Sequence, residues 1–137
     1  MNLIDNFPRS PREKLVGLLH IPRMVDKANA KRDNVLGEYI FPCPIDKLVL
    51  EFLGLSEHEF IDKTYNKGET EISRWLLEII NSKEDFDIDY VNHKILNPKR
   101  LWWEKIFWRI DNFLNLKMIN FSSWAERADH EEGRSQT

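Results

Sequence analysis

The sequence has only one cysteine, Cys43, so it cannot form an intrachain disulfide, and nothing in it asks for an oxidising compartment. Its five glycines stand singly, none in a GxGxxG or Walker-type loop, which argues against enzymes that cradle nucleotide phosphates on glycine-rich backbone. The four histidines are scattered without HExxH or any other ligand spacing, so no metal site is expected. Asp85, Asp87 and Asp89 imitate the start of a calcium loop, but Tyr90 and Leu96 stand where that loop requires Gly and Glu. No run approaches the ~18 apolar residues of a membrane span. Residues 1–12 hold charges and two prolines where a secretory leader has an apolar stretch. The expectation is a cytoplasmic protein with no cofactor and no membrane partner.

Positive charge is also lacking overall. The net charge of −3 and pI near 5.8 make nucleic acid an unlikely partner. That average conceals an asymmetry. Residues 1–34 carry seven basic residues (Arg9, Arg12, Lys14, Arg23, Lys27, Lys31, Arg32) against four acids (Asp5, Glu13, Asp26, Asp33), a net of +3, which leaves −6 for the rest. A basic segment on an acidic body either steers an anion or pairs internally.

What the chain does have is apolar mass. Five Trp and eight Phe among 137 residues supply a substantial core, more than a disordered chain carries. The length suits one domain over 1–137, with frayed ends at 1–7 and 133–137. Ser10-Pro11-Arg12-Glu13 has the form of a helix start, with a capping hydroxyl, a proline at the first helical position and a carboxylate reaching back. In the helix that would follow, Leu15, Leu18, Leu19, Pro22 and Val25 share one face. Arg12, His20, Arg23, Lys27 and Lys31 gather on another. Pro22 lacks a backbone donor and predicts a kink or break.

Residues 35–41 read as an extended connection, with at most one short strand at 36–41, stopped by Pro42-Cys43-Pro44. A helix is expected from Ile45 to Leu53, ended by Gly54. Ser56 and Glu59 form a second capping box, with Gly68 closing that helix. Thr70 caps the next, whose apolar face is Ile72, Trp75, Leu76, Ile79 and Ile80. Residues 82–97 look like a polar loop. Trp102, Trp103, Ile106, Phe107, Ile110, Phe113 and Leu114 cover roughly 140° of a helix over 99–115, wide enough for a central core element. Ser123 with Glu126 suggests a last short helix. The reading is an all-α protein: a compact bundle of five or six short helices, the first kinked at Pro22.

Pro8-Arg9-Ser10-Pro11-Arg12-Glu13-Lys14-Leu15 and His20-Ile21-Pro22-Arg23-Met24-Val25-Asp26-Lys27 resemble a bacterial family known as domain of unknown function 5069. Gly37-Glu38-Tyr39, Cys43-Pro44-Ile45-Asp46 and Glu51-Phe52-Leu53-Gly54 continue the likeness. Ser123-Trp124 and Glu131-Glu132-Gly133-Arg134 match it more loosely. The resemblance implies the helical architecture and carries no activity, cofactor or catalytic residue.

The candidate ligand-binding residues are Arg9, Arg12, His20, Arg23, Asp26, Lys27, Glu38, Tyr39 and Asp46. Arginine forks suit planar anions, and the 37–46 segment would add an acceptor and an aromatic wall. The leading expectation is a small binding or interaction module that engages an anionic small molecule or an acidic protein surface. The competing account pairs the same cations with Asp26, Glu38 and Asp46 as an internal network. A small enzyme is the second hypothesis, with a cleft between the kinked helix and residues 37–46 in which Cys43, Glu38, Asp46, Tyr39 or His20 acts; a non-catalytic role is preferred. Cys43 on its own reads as an inert, small apolar residue. The third hypothesis is a structural homodimer through Leu101 and Trp108, which lie opposite the main apolar face of their helix.

Overall fold

The computed structural model describes residues 2–97 and 124–133. The described fold is mainly helical, with a small antiparallel hairpin, β1 (Lys14–Leu15) and β2 (Leu18–Leu19). The helices are α1 (Ile21–Arg32), α2 (Pro44–Leu53), α3 (Glu57–Thr64), α4 (Glu69–Ser82), α5 (Ile88–Leu96) and α6 (Trp124–Glu131). None of the described helices is long and apolar enough to cross a membrane. The expected 99–115 helix, with Leu101 and Trp108, lies outside the described residues.

The first helix begins later than the sequence suggested, and this corrects the kink expected at Pro22. Leu15 pairs with Leu18 across a two-residue turn, Val16-Gly17, whose φ angles of 49° and 81° are both positive. That is the turn geometry whose twist suits a hairpin, and it ends any helix started at Ser10. The Ser10–Glu13 motif still closes, but as a turn. Glu13 N–H donates to Ser10 O at 3.1 Å, and Ser10 N–H donates to the Glu13 carboxylate at 3.2 Å. Asn92 of α5 clamps the hairpin from outside. Its Oδ1 accepts from Leu19 N–H at 2.9 Å, and its Nδ2 donates to Gly17 O at 2.8 Å.

His20 then turns the chain in a left-handed conformation (φ 75°) and serves as the N-cap of α1. Pro22 falls in the first turn, where its missing N–H costs nothing. The helix runs unbroken to Arg32. Eight consecutive residues, Ile21 to Ala28, are buried, including Arg23, Asp26 and Lys27. So α1 is the element wrapped by the others rather than an amphipathic surface helix, and its charges must find partners inside.

The next three helices follow their sequence signals closely. Pro44 sits in the first turn of α2, and Gly54 ends it with φ 72°. The Ser56–Glu59 box opens α3. In α4, Ile72, Leu76 and Ile80 are buried, but its N-cap is Gly68 and the expected cap Thr70 lies inside the helix, while α3 ends earlier, at Thr64. Residues 36–41 form turns without a strand. The loop expected over 82–97 contains α5, opened by Asp87, whose carboxylate accepts from Tyr90 N–H at 3.1 Å.

One core joins these pieces. Leu18, Ile21, Met24, Ile45, Val49, Phe60, Ile72, Leu76, Val91 and Ile95 all belong to it. Phe60 packs against both Phe41 and Trp75 in tilted pairs, at centroid distances of 5.9 and 6.2 Å, the spacing at which aromatic pairs attract. Leu3 is tied in at the edge, its N–H donating to Val35 O at 2.9 Å. Gly37 makes that approach possible: with φ 62°, a Cβ there would lie 2.9 Å from Leu3 O.

Candidate functional site

The inner part of the site forms where α1 meets the start of α2. Cys43 is the N-cap of α2, and Asp46, in its first turn, accepts from Cys43 N–H at 2.8 Å. This contact gives an acceptor to one of the N–H donors that a helix start leaves unsatisfied. The same carboxylate accepts from His20 Nε2 at 2.6 Å on one oxygen, and meets Lys27 Nζ at 2.6 Å on the other. Lys27 also donates to Cys43 Sγ at 3.4 Å. Asp46 is 0% exposed, His20 1% and Lys27 3%.

Burial and pairing set the charges. Burial alone pushes the Asp46 carboxyl up, but the Lys27 charge and the His20 hydrogen bond outweigh it and hold the carboxyl well below its usual range. Burial likewise opposes the Lys27 charge, yet Asp46 keeps the ammonium above its ordinary value. His20 is pushed down by burial despite Asp46, with Lys27 and Arg23 adding to the drop. An ionised Asp46 only accepts, so a neutral His20 carries its proton on Nε2. Burial and Asp46 push the Cys43 thiol up. The reactive form of cysteine is the thiolate, so this environment does not prepare a nucleophile.

His20, Cys43 and Asp46 offer donor atoms within 4.8 Å of one another, and all three are zinc-ligand types. The positive charge at this spot is already supplied by Lys27, which a metal would have to evict.

The outer part of the site links the amino-terminal segment and α1 to α6. Arg9 donates to both oxygens of Asp26, Nε at 3.1 Å and Nη2 at 3.1 Å, and its Nη1 reaches Glu69 at 2.7 Å. The Arg9 N–H donates to Asp26 as well, at 2.9 Å. Arg23 forks onto Glu132, Nη1 at 2.9 Å and Nη2 at 2.7 Å, and Tyr39 OH donates to the same carboxylate at 2.7 Å. The Arg23 guanidinium lies 5.5 Å from the Tyr39 ring centroid, and its Nη1 also donates to Arg9 O at 3.2 Å. Although burial opposes its charge, Glu132 holds Arg23 above its usual value. Asp129 accepts from Ser10 Oγ at 2.9 Å and lies 3.8 Å from Arg12 Nε.

Eight of the nine residues singled out from the sequence therefore fall into two adjoining clusters. His20, Lys27 and Asp46 make the inner one, with Cys43 beside them. Arg9, Arg12, Arg23, Asp26 and Tyr39 belong to the outer one. Glu38 is exposed and makes no ion pair among the described residues. An open depression at Glu84–Asp89 shares no residue with either cluster.

Sequence reasoning missed the acids that complete the outer cluster: Glu69, Asp129 and Glu132. Asp129 and Glu132 sit in a polar stretch that reads as a solvated end, yet Asp129 is only 4% exposed. The Glu131-Glu132-Gly133-Arg134 pattern pointed to Glu132 and not to Asp129.

A mainly helical fold with a short hairpin and a doubled charge cluster around its first helix defines the class. The chain belongs to the family described as Domain of unknown function (DUF5069), whose profile matches residues 5–134. A comparison with curated proteins finds no match.

Proposed function

We propose that the protein is a binding module for acidic protein segments, with Arg12, Arg23 and Tyr39 as the recognising residues. One observation carries this reading. A single carboxylate, that of Glu132, receives both forks of Arg23 and the hydroxyl of Tyr39. Two parallel guanidinium bonds plus a phenolic donor make a geometry selective for a planar, singly charged oxyanion. Arg12, exposed beside Asp129, adds a second positive position.

The other residues have supporting parts in this reading. Arg9 and Asp26 fix the carbonyl that Arg23 leans on. His20, Lys27 and Asp46 lock α1 to α2 and so set the 37–46 segment beside it. Catalysis is the weaker reading because burial keeps Cys43 a neutral thiol. A cytoplasmic setting belongs to the same proposal.

Titration with fluorescent poly-L-glutamate tests it. The wild-type chain is expected to bind, more weakly as salt rises, and Arg12→Gln should weaken binding without lowering thermal stability. Poly-L-lysine should not bind. Equal binding by wild type and Arg12→Gln, or none by wild type, would overturn the proposal.

A further inference from the structure

The structure assigns α6 a second role: it is a resident mimic of the partner, and the partner is an acidic helix with carboxylates three residues apart that docks by replacing the end of α6. This deepens the preceding reading and rests on it.

The spacing is the first argument. Asp129 lies in the last turn of α6, and Glu132 follows one turn on, its N–H still donating to Ala128 O at 3.1 Å. Residues three apart on a helix face the same way. Here one carboxylate meets Ser10 and Arg12 while the other meets Arg23 and Tyr39. The face is therefore already fitted to two carboxylates at that interval.

The second argument is that Arg23 is also held from outside α6. Arg23 is held from other directions, by the Arg9 carbonyl and by the Tyr39 ring. Arg9 in turn is fixed by three hydrogen bonds to Asp26. Residues 9–39 thus place the Arg23 guanidinium in part, whichever carboxylate meets it. An incoming glutamate also restores each charge-assisted bond that the departing Glu132 gives up, so the exchange leaves no buried guanidinium unpaired. Because the resident helix competes, apparent affinity for a partner falls by the fraction of time the cradle is closed.

The test uses the full chain, its Glu132→Gln variant and a synthetic peptide of residues 124–137. The Glu132→Gln chain is expected to bind the peptide at least about tenfold more tightly than wild type. A peptide carrying Asp129→Lys and Glu132→Lys should bind neither chain. In hydrogen exchange on the wild-type chain, α6 amides should exchange faster than those of α1 to α4, and faster still when the peptide is added.

Equal affinity of the two chains overturns the inference, as does exchange of α6 only together with α1. A Glu132→Gln chain that dimerises by exchanging α6 would assign the place to a second copy and also overturn it. If both chains bind poly-L-glutamate but neither binds the peptide, the mimic is wrong and the carboxylate reading stands. If no acidic probe binds either chain, both fail.

Discussion

The Lys27 ammonium lies 2.6 Å from the Asp46 carboxylate, with 4% and 0% of the respective side chains exposed. Two charges so far from water are tolerable only together. Each compensates the other's lost hydration, and Asp46 has further donors in His20 and the Cys43 N–H.

Removing one member should therefore hurt more than removing both. Lys27→Met and Asp46→Asn are each expected to destabilise the fold by about 3–5 kcal/mol. The double variant should lose clearly less than the sum of the two. Urea unfolding of the four chains measures this coupling. Single variants that shift the midpoint only slightly would show that water reaches the pair.

Acid should weaken the protein in two stages. Buried His20 stays neutral in the fold, whereas the unfolded chain takes up a proton below about pH 6.5. The unfolded state then binds more protons, so stability drops as pH falls through that value. Asp46, held ionised in the fold, adds a second loss once its unfolded carboxyl protonates near about pH 3.9. Both contributions are present above those values and lost below them. Urea midpoints at about pH 7.5, 5.5 and 4 should fall in order, and His20→Gln should flatten the first interval only. A wild-type midpoint unchanged between the first two pH values would contradict the neutral buried state of His20.

Gly37→Ala should loosen the amino-terminal edge. The new Cβ would sit 2.9 Å from Leu3 O and 3.1 Å from Ile4 Cα, on a residue with positive φ. Strain of this kind costs more than about 1 kcal/mol. The expected signature is faster exchange of the Leu3 amide and a lowered melting temperature, with α3 and α4 amides unchanged. An undisturbed Leu3 amide would mean that the segment shifts freely to make room.

The helices easiest to read were those whose signals are local. Ser56 with Glu59, Gly54 at the end of α2, and the Ile72–Leu76–Ile80 stripe each act within one or two turns, and each appears in the fold. The hairpin was misread because Ser10-Pro11-Arg12-Glu13 satisfies the rules of a helix start, while the deciding feature is a left-handed Val16, which sequence disfavours. Helix α5 was missed because it buries little more than Val91 and Ile95, and because its Asn92 answers a distant hairpin rather than its own periodicity.

The candidate site divides along the same line. The cations of α1 were visible, and so were Asp26 and Asp46 nearby in sequence. Glu132 and Asp129 were not, because a pairing across most of the chain leaves no periodic trace. Burial of α1 on every side was also hidden. Helical spacing offered a charged face, and only the surrounding elements decide whether water or carboxylates meet it.

The 109 positions between Arg23 and Glu132 also set a timetable. During synthesis at about 5–20 residues per second, Arg23 is added to the chain roughly 5–20 s before Glu132. For that interval the Arg23 guanidinium is without the carboxylate that later receives both its forks. The Arg23–Glu132 contact can thus close only after the residues of α1 to α5 have all been made.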